Sequence, residues 1–165
     1  MNFSSLIAYF EDMASRHVEI RHSDARKHFF RMEIDEVLGG FNRSDSEFPM
    51  LILEGYGFSY TDNRSDNVLK NRTGAFILLG ALSDATDYNA KHELWDYLES
   101  IGDDILARMR EDKRNRNPVI RGFELDKVEA TLILNEFSNC AGIRYTFTIT
   151  AGAPVAVDPT RWITD

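Results

Sequence analysis

Residues 90–114 read AKHELWDYLESIGDDILARMREDKR, and the reading of this stretch decides the fold. Leu94, Leu98, Ile101, Ile105 and Met109 recur at the helical period, and Trp95 and Leu106 widen the stripe. Asp84, Asp87 and Asn89 supply capping oxygens and negative charge near its start, while Arg108, Arg110, Lys113 and Arg114 load its end, as the helix dipole favours. Asn115, Asn117 and Pro118 stop it. Gly102 reads as its weak link, costing about 1 kcal/mol against alanine. Apolar stretches on both sides of this helix predict strands that pair into one sheet beneath it.

On the N-terminal side, Phe3, Leu6, Ile7, Phe10, Met13 and Ala14 form a second helical stripe that Asn2 or Ser4 can cap, with an end near Arg16. Val18 to His22 alternates apolar and polar residues. Phe30, Met32 and Ile34 predict a short extended piece, followed by a helix from about Asp35 that Gly39 and Gly40 end. Asn42 to Glu47 is a polar loop. Phe48 to Glu54 opens a strand at Pro49 and continues through Tyr56, Phe58 and Tyr60, with Gly55 and Gly57 leaving room for a bulge. Thr61 to Thr73 is polar and longer than an ordinary hairpin turn, which predicts a functional or mobile loop. Ala75 to Leu82 is a second apolar strand.

Beyond Pro118, Val119 to Phe123 begins the next segment and Val128 to Leu134 alternates as a half-buried strand. Glu136 to Gly142 is a turn. Ile143, Tyr145, Phe147 and Ile149 then alternate with Arg144, Thr146, Thr148 and Thr150, the cleanest period-two pattern in the chain. The expectation is one α+β domain over residues 1–150, with helices on one face of a mainly antiparallel sheet. Residues 151–165, with Gly152, Pro154 and Pro159, make a C-terminal tail suited to an interaction arm.

Composition narrows the functional classes. With 165 residues and 43% hydrophobic content the chain can bury one substantial core. A formal net charge of −8 repels phosphate backbones, which argues against sequence-specific nucleic acid as a partner. The lone cysteine, Cys140, sits in a polar turn and has no intrachain partner, which fits a reducing compartment. No apolar run approaches the roughly 18 residues of a membrane span. Glu11 and Asp12 interrupt the first apolar stripe, against a signal peptide.

Chemistry-bearing constellations are sparse. His17, His22 and His28 lie near Glu19, Asp24 and Glu33, but their spacing matches no compact metal motif, and His92 stands apart. The carboxylate pairs Asp35–Glu36 and Asp103–Asp104 read as solvated faces. Gly55-Tyr56-Gly57 lacks the remainder of a nucleotide-binding loop. The expectation is a protein without catalytic residues, cofactor or metal. Interface candidates remain: Asp62, Arg64, Asp66, Lys70 and Arg72 intersperse both signs of charge, and Arg161 and Trp162 offer an interface-type pair. Trp162 either folds back on its own domain or anchors on a neighbour.

The order of patterns carries a resemblance. A strand opened by Phe48-Pro49 runs through Met50 to Glu54. A second, Ala75 to Leu82, leads through an acidic segment into a helix with Glu93-Leu94-Trp95 and Leu98-Glu99, and the chain closes on Gly142-Ile143-Arg144-Tyr145-Thr146-Phe147-Thr148-Ile149. This resembles the tail terminator and tail-completion proteins of long-tailed bacteriophages and related prophage or injection particles, over roughly residues 3–150. The resemblance implies an α+β sandwich working as a homo-oligomeric ring, usually a hexamer, which caps the tail tube and faces the head connector. It implies assembly in the bacterial cytoplasm and residence in the particle tail, and the chain's acidic balance would suit a ring whose lumen lets DNA pass without sticking. Val18 to Phe41, Thr61 to Thr73 and the tail after Thr150 are additions to the family's pattern. The other readings are a small-ligand-binding or regulatory α+β domain with a pocket between helix and sheet, and an enzyme using the His17–Glu33 region.

Overall fold

A computed structural model describes residues 2–31, 33, 47–62, 64, 67–84, 86–135, 139–153 and 155–163. The expected helix from Asp35, the polar loop before Glu47 and most of the turn after Asn135 lie outside the described residues.

Helix α1 is Phe3–Arg16, and the Asn2 side chain caps it by accepting from the Ser5 N–H at 2.8 Å. Helix α2 is Tyr88–Arg114, starting just ahead of the expected Ala90. The Asp87 carboxylate accepts from the backbone N–H groups of Asn89 and Ala90, and Asn115 closes the far end. Leu98, Ile101, Ile105 and Met109 are buried, as the stripe predicts, and Leu94 is half-buried. The two helices are tied by the Tyr9 hydroxyl, which donates to Asp112 at 2.9 Å, while Arg108 Nε donates to the same carboxylate.

The strands are β1 (Phe29–Arg31), β2 (Met50–Leu53), β3 (Gly57–Asp62), β4 (Val68–Ala81), β5 (Phe123–Asn135) and β6 (Cys140–Gly152). The sheet runs β1-β2-β4-β6-β5, with β3 also alongside β4. Among the described strands only the β1–β2 pair is parallel, so this is an α+β fold on a mostly antiparallel sheet. Both helices pack on one face, where Leu51, Leu53, Phe76, Leu78, Ile143, Tyr145, Phe147 and Ile149 share a core with them. The opposite face carries a smaller cluster of Met50, Ile52, Ile77, Leu79 and Cys140. Burial on both faces explains why Met50–Leu53 and Ala75–Leu79 read as unbroken apolar runs. It also moves Cys140 out of the expected polar turn: the residue is buried at the start of β6.

Three sequence expectations need correction, and Val18 to His22, which carried no assignment, takes a definite form. Thr61 and Asp62 are strand, as are Val68 to Thr73, where a loop was expected: β3 pairs with the first half of β4 from Gly57↔Thr73 to Asp62↔Val68. The signal was missed because β3 is exposed along its whole length, so no buried face imposes an alternating pattern. Val18 to His22 is a turn, closed by Ile20 and Arg21 N–H groups on the His17 carbonyl, that drops Ile20 into the core. The sheet passes the expected boundary at Thr150, because Ala151 and Gly152 pair with Lys70 and Leu69. Gly102 is not a defect: a Cβ there would sit 2.1 Å from the Tyr145 hydroxyl oxygen, so the aromatic ring occupies the space an alanine needs.

Candidate functional site

Beyond the helix layer the sheet continues as an arm made of β3, the first half of β4 and the end of β6. β2 and β3 lie end to end along the same edge of β4, β2 beside Phe76–Leu79 and β3 beside Val68–Thr73. One face of the arm brings Phe58 and Tyr60 opposite Arg72 and Lys70. The rings meet edge-on with centroids 5.9 Å apart, and Lys70 Nζ stands 3.6 Å above the Phe58 centroid. Such a cation–aromatic stack holds the ammonium in place while leaving it accessible. Both rings are more than half exposed, at 57% and 54%. At the tip the Arg64 N–H donates to Asp62 Oδ1 at 2.7 Å, and Arg64 adopts a left-handed backbone conformation (φ 62°). Arg72 is half-buried, and its Nε has no hydrogen-bond partner among the described residues.

The C-terminal tail leaves from the same end. The Ala153 N–H donates to the Val68 carbonyl at 2.8 Å, one step past the β6 ladder. Val155 then helps line a shallow depression with Tyr60, Asp62, Arg64 and Val68, enclosing about 650 Å³. Asp158 caps a short 3₁₀ turn, Pro159–Arg161, accepting from the Thr160 N–H and hydroxyl. Those Thr160 bonds, with Arg161 3.2 Å away, hold the Asp158 carboxyl below its ordinary range. Trp162 is 68% exposed and Ile163 99%, so the tryptophan does not fold back into the core.

Asp62, Arg64, Lys70 and Arg72 are thus gathered on the arm, and Arg161 and Trp162 stand on the tail that departs beside it. Asp66 lies outside the described residues. Phe58 and Tyr60 were read only as the continuation of a strand. The signal that could have marked them exposed is the run Lys70-Asn71-Arg72-Thr73, whose alternate residues are polar on both faces.

The remaining chemical candidates are joinery. The His22 Nδ1 accepts from the His28 and Phe29 N–H groups, at 3.1 and 3.2 Å. His28 is buried with Nδ1 2.8 Å from the Pro49 carbonyl oxygen and Nε2 3.4 Å from a Glu47 carboxylate oxygen. Among the described residues no group of three histidines, cysteines or carboxylates is placed to hold a metal ion. Asp103 and Asp104 are exposed on α2, while Asp35 and Glu36 fall outside the described residues. Between α1 and α2 there is a surface notch of about 230 Å³ lined by Asp12, Arg16, His17, Asp104 and Arg108 among others. Between helices and sheet, in contrast, core side chains interlock: Phe10 stacks on Phe147 at 5.6 Å and Phe76 on Tyr145 at 4.8 Å. Burial pushes the Tyr145 hydroxyl up to about 12, and Tyr9 is raised further by burial and by the Asp112 carboxylate it bonds.

No helix of the described residues is long and apolar enough to cross a membrane. Comparison with protein-family models and with curated proteins finds no match. What fold and geometry define is therefore a class: an α+β domain with a projecting, aromatic-faced hairpin and an exposed apolar tail.

Proposed function

We propose that this chain is a non-enzymatic assembly protein, a subunit of the homo-oligomeric ring that completes a phage-like tail. The observation that carries the reading is that two exposed apolar elements start from one end of the sheet, where Val155 of the tail lines a depression with Tyr60 of the arm. Phe58 and Tyr60 stand on the arm, and Val155, Val157, Trp162 and Ile163 on the tail, all more than half exposed. Aromatic side chains beside arginine are the composition of interface anchors. A cyclic assembly needs one patch that meets a different patch on the next copy, and an arm projecting from one end suits such a heterologous contact. A hexamer is the ring the resemblance favours, with the tail tube and the head connector as its further partners. The net charge of −8 suits a lumen through which DNA passes unheld.

The test is sedimentation of three proteins. Because Ala153 still bonds β4, the truncation belongs after Ala153 rather than after Thr150. The parent is expected to form rings, and the truncated chain and Trp162→Ala to sediment as smaller species with unchanged thermal midpoints. A parent that remains monomeric overturns the ring, and rings of equal stability from all three remove the tail as anchor.

A further inference from the structure

The outward side of α2 changes sign along its length. From Glu93 to Asp104 its exposed charges are all carboxylates, among them Asp96, Glu99 and Asp103; Lys91, the one cation of the first turn, is buried. After Ala107 the exposed charges are mostly cations. Arg108 and Arg114 pair with Asp112 and Glu111, whereas Arg110 and Arg121 form no ion pair among the described residues and Lys113 acts on Glu124 from beyond contact distance. Asp96 and Arg110 are 14 residues apart, about 21 Å at the α-helical rise. That is more than two Debye lengths at physiological salt (about 8 Å each), so Asp96 and Arg110 are screened from one another within a copy.

The topology says which end is which. The acidic half packs where Leu94 lies against Gly80, near the close of β4. The basic half leads to Phe123, which pairs with Ile149, which pairs with Arg72 at the root of the arm. The cations of α2 and the arm's Lys70 and Arg72 therefore share one end of the molecule with the exposed rings of Phe58 and Tyr60. The carboxylates at that end are engaged or few: Asp62 accepts the Arg64 N–H, Glu124 is paired with Lys127 at 2.7 Å, and Asp126 is exposed. At the acidic end Tyr88 is 71% exposed, and Tyr97 donates its hydroxyl to Glu19 at 3.0 Å, which adds a further carboxylate to that surface.

We infer that the occupant of the acidic face of α2 is the cation- and aromatic-bearing arm end of a second copy of this chain. The inference rests on the ring reading above and names the surface that receives the arm. Each copy carries both complementary surfaces at opposite ends, so the contact is heterologous and propagates until it closes. Charge attraction sets its registry and speed, and the rings on both sides supply apolar area.

The test uses two full-length variants, Asp96→Lys/Glu99→Lys/Asp103→Lys and Arg110→Glu/Lys113→Glu/Arg121→Glu, with thermal melts to establish that each folds. Light scattering and sedimentation are expected to show each variant alone associating at least about tenfold more weakly than the parent, because every contact then juxtaposes like charges. An equimolar mixture is expected to recover the parent's assembly, since each reversed face meets its complement on the other variant. Assembly of the parent should weaken as salt rises. Variants that assemble like the parent, a mixture that does not recover, or a parent that stops at a symmetric dimer each overturn the docking while leaving other modes of self-assembly standing. A parent that stays monomeric at every salt concentration overturns the ring reading itself. A labelled oligonucleotide that binds the parent, and loses binding only in the Arg110 variant, reassigns the basic end to nucleic acid and overturns the docking as well.

Discussion

Replacing Gly102 with alanine sets two effects of opposite sign against each other. In an unencumbered helix interior the change stabilises by about 1 kcal/mol, because alanine restricts the unfolded chain and glycine does not. Here the new Cβ would lie 2.1 Å from the Tyr145 hydroxyl oxygen and 2.3 Å from Cζ. Relief requires a movement of about 1 Å by the ring or the helix, and the ring is 3% exposed and stacked on Phe76 at an interplanar angle of 12°. Overpacking a close-fitted core costs about 1–3 kcal/mol. An overlap this close belongs in the upper part of that range, about 2–3 kcal/mol, so after the gain of about 1 kcal/mol Gly102→Ala should be about 1–2 kcal/mol less stable than the parent. For a domain of this size that lowers the thermal midpoint by roughly 2–8 °C. The assay is thermal or denaturant unfolding followed by circular dichroism, repeated in two backgrounds. Tyr145→Phe keeps Cζ and should keep the penalty, whereas Tyr145→Leu withdraws the ring and should turn Gly102→Ala into a gain of up to about 1 kcal/mol. A Gly102→Ala protein as stable as the parent with Tyr145 intact would refute the reasoning.

Three further outcomes follow from the same core. Leu98→Ala removes a fully buried side chain from the α2–sheet contact and should cost about 2–5 kcal/mol by denaturant titration. Tyr145→Phe removes a buried hydroxyl that has no hydrogen-bond partner among the described residues, and should be neutral or stabilising by about 1 kcal/mol in the same assay. Alkali should unfold the protein through its buried phenols. Both Tyr9 and Tyr145 are raised in the folded state from the ordinary value of 10.0, Tyr145 to about 12, so their contribution is complete below pH 10 and is lost as pH climbs towards 12. Stability measured from pH 9 to 12 should fall less steeply in a Tyr9→Phe/Tyr145→Phe protein; equal slopes would refute it.

How much of this was readable from sequence follows from what each element buries. α2 and β6 announced themselves because each presents one continuous apolar side, to the sheet and to the helices respectively. The first half of β4 did not, because Lys70, Asn71, Arg72 and Thr73 stand clear of the helix layer, where ladder hydrogen bonds hold a strand without any apolar signature. Gly102 could only be read as a local cost, since its explanation sits on β6, far away in the chain. The charged residues of the candidate site were named from composition, but Phe58 and Tyr60 read only as the continuation of a strand, because exposure depends on what lies opposite them. The tail was legible for the converse reason: prolines and a lone tryptophan without periodicity have no layer to join.

The shared edge of β4 has a mechanical consequence. β4 and β6 are paired without interruption from Leu69↔Gly152 to Ala81↔Cys140, and neither contains proline. β4 is 14 residues long, about 45 Å at the extended rise, and its first six residues form the arm. A pull along the arm therefore loads the inter-strand hydrogen bonds lengthwise, in shear, so that many must give way together rather than one after another. Tension applied at the tip is carried along β4 and β6, past the break between β2 and β3, and is delivered to Phe76, Tyr145 and the helices above them. The arm is a cantilever built into the core, able to bear a sustained axial load without a hinge of its own.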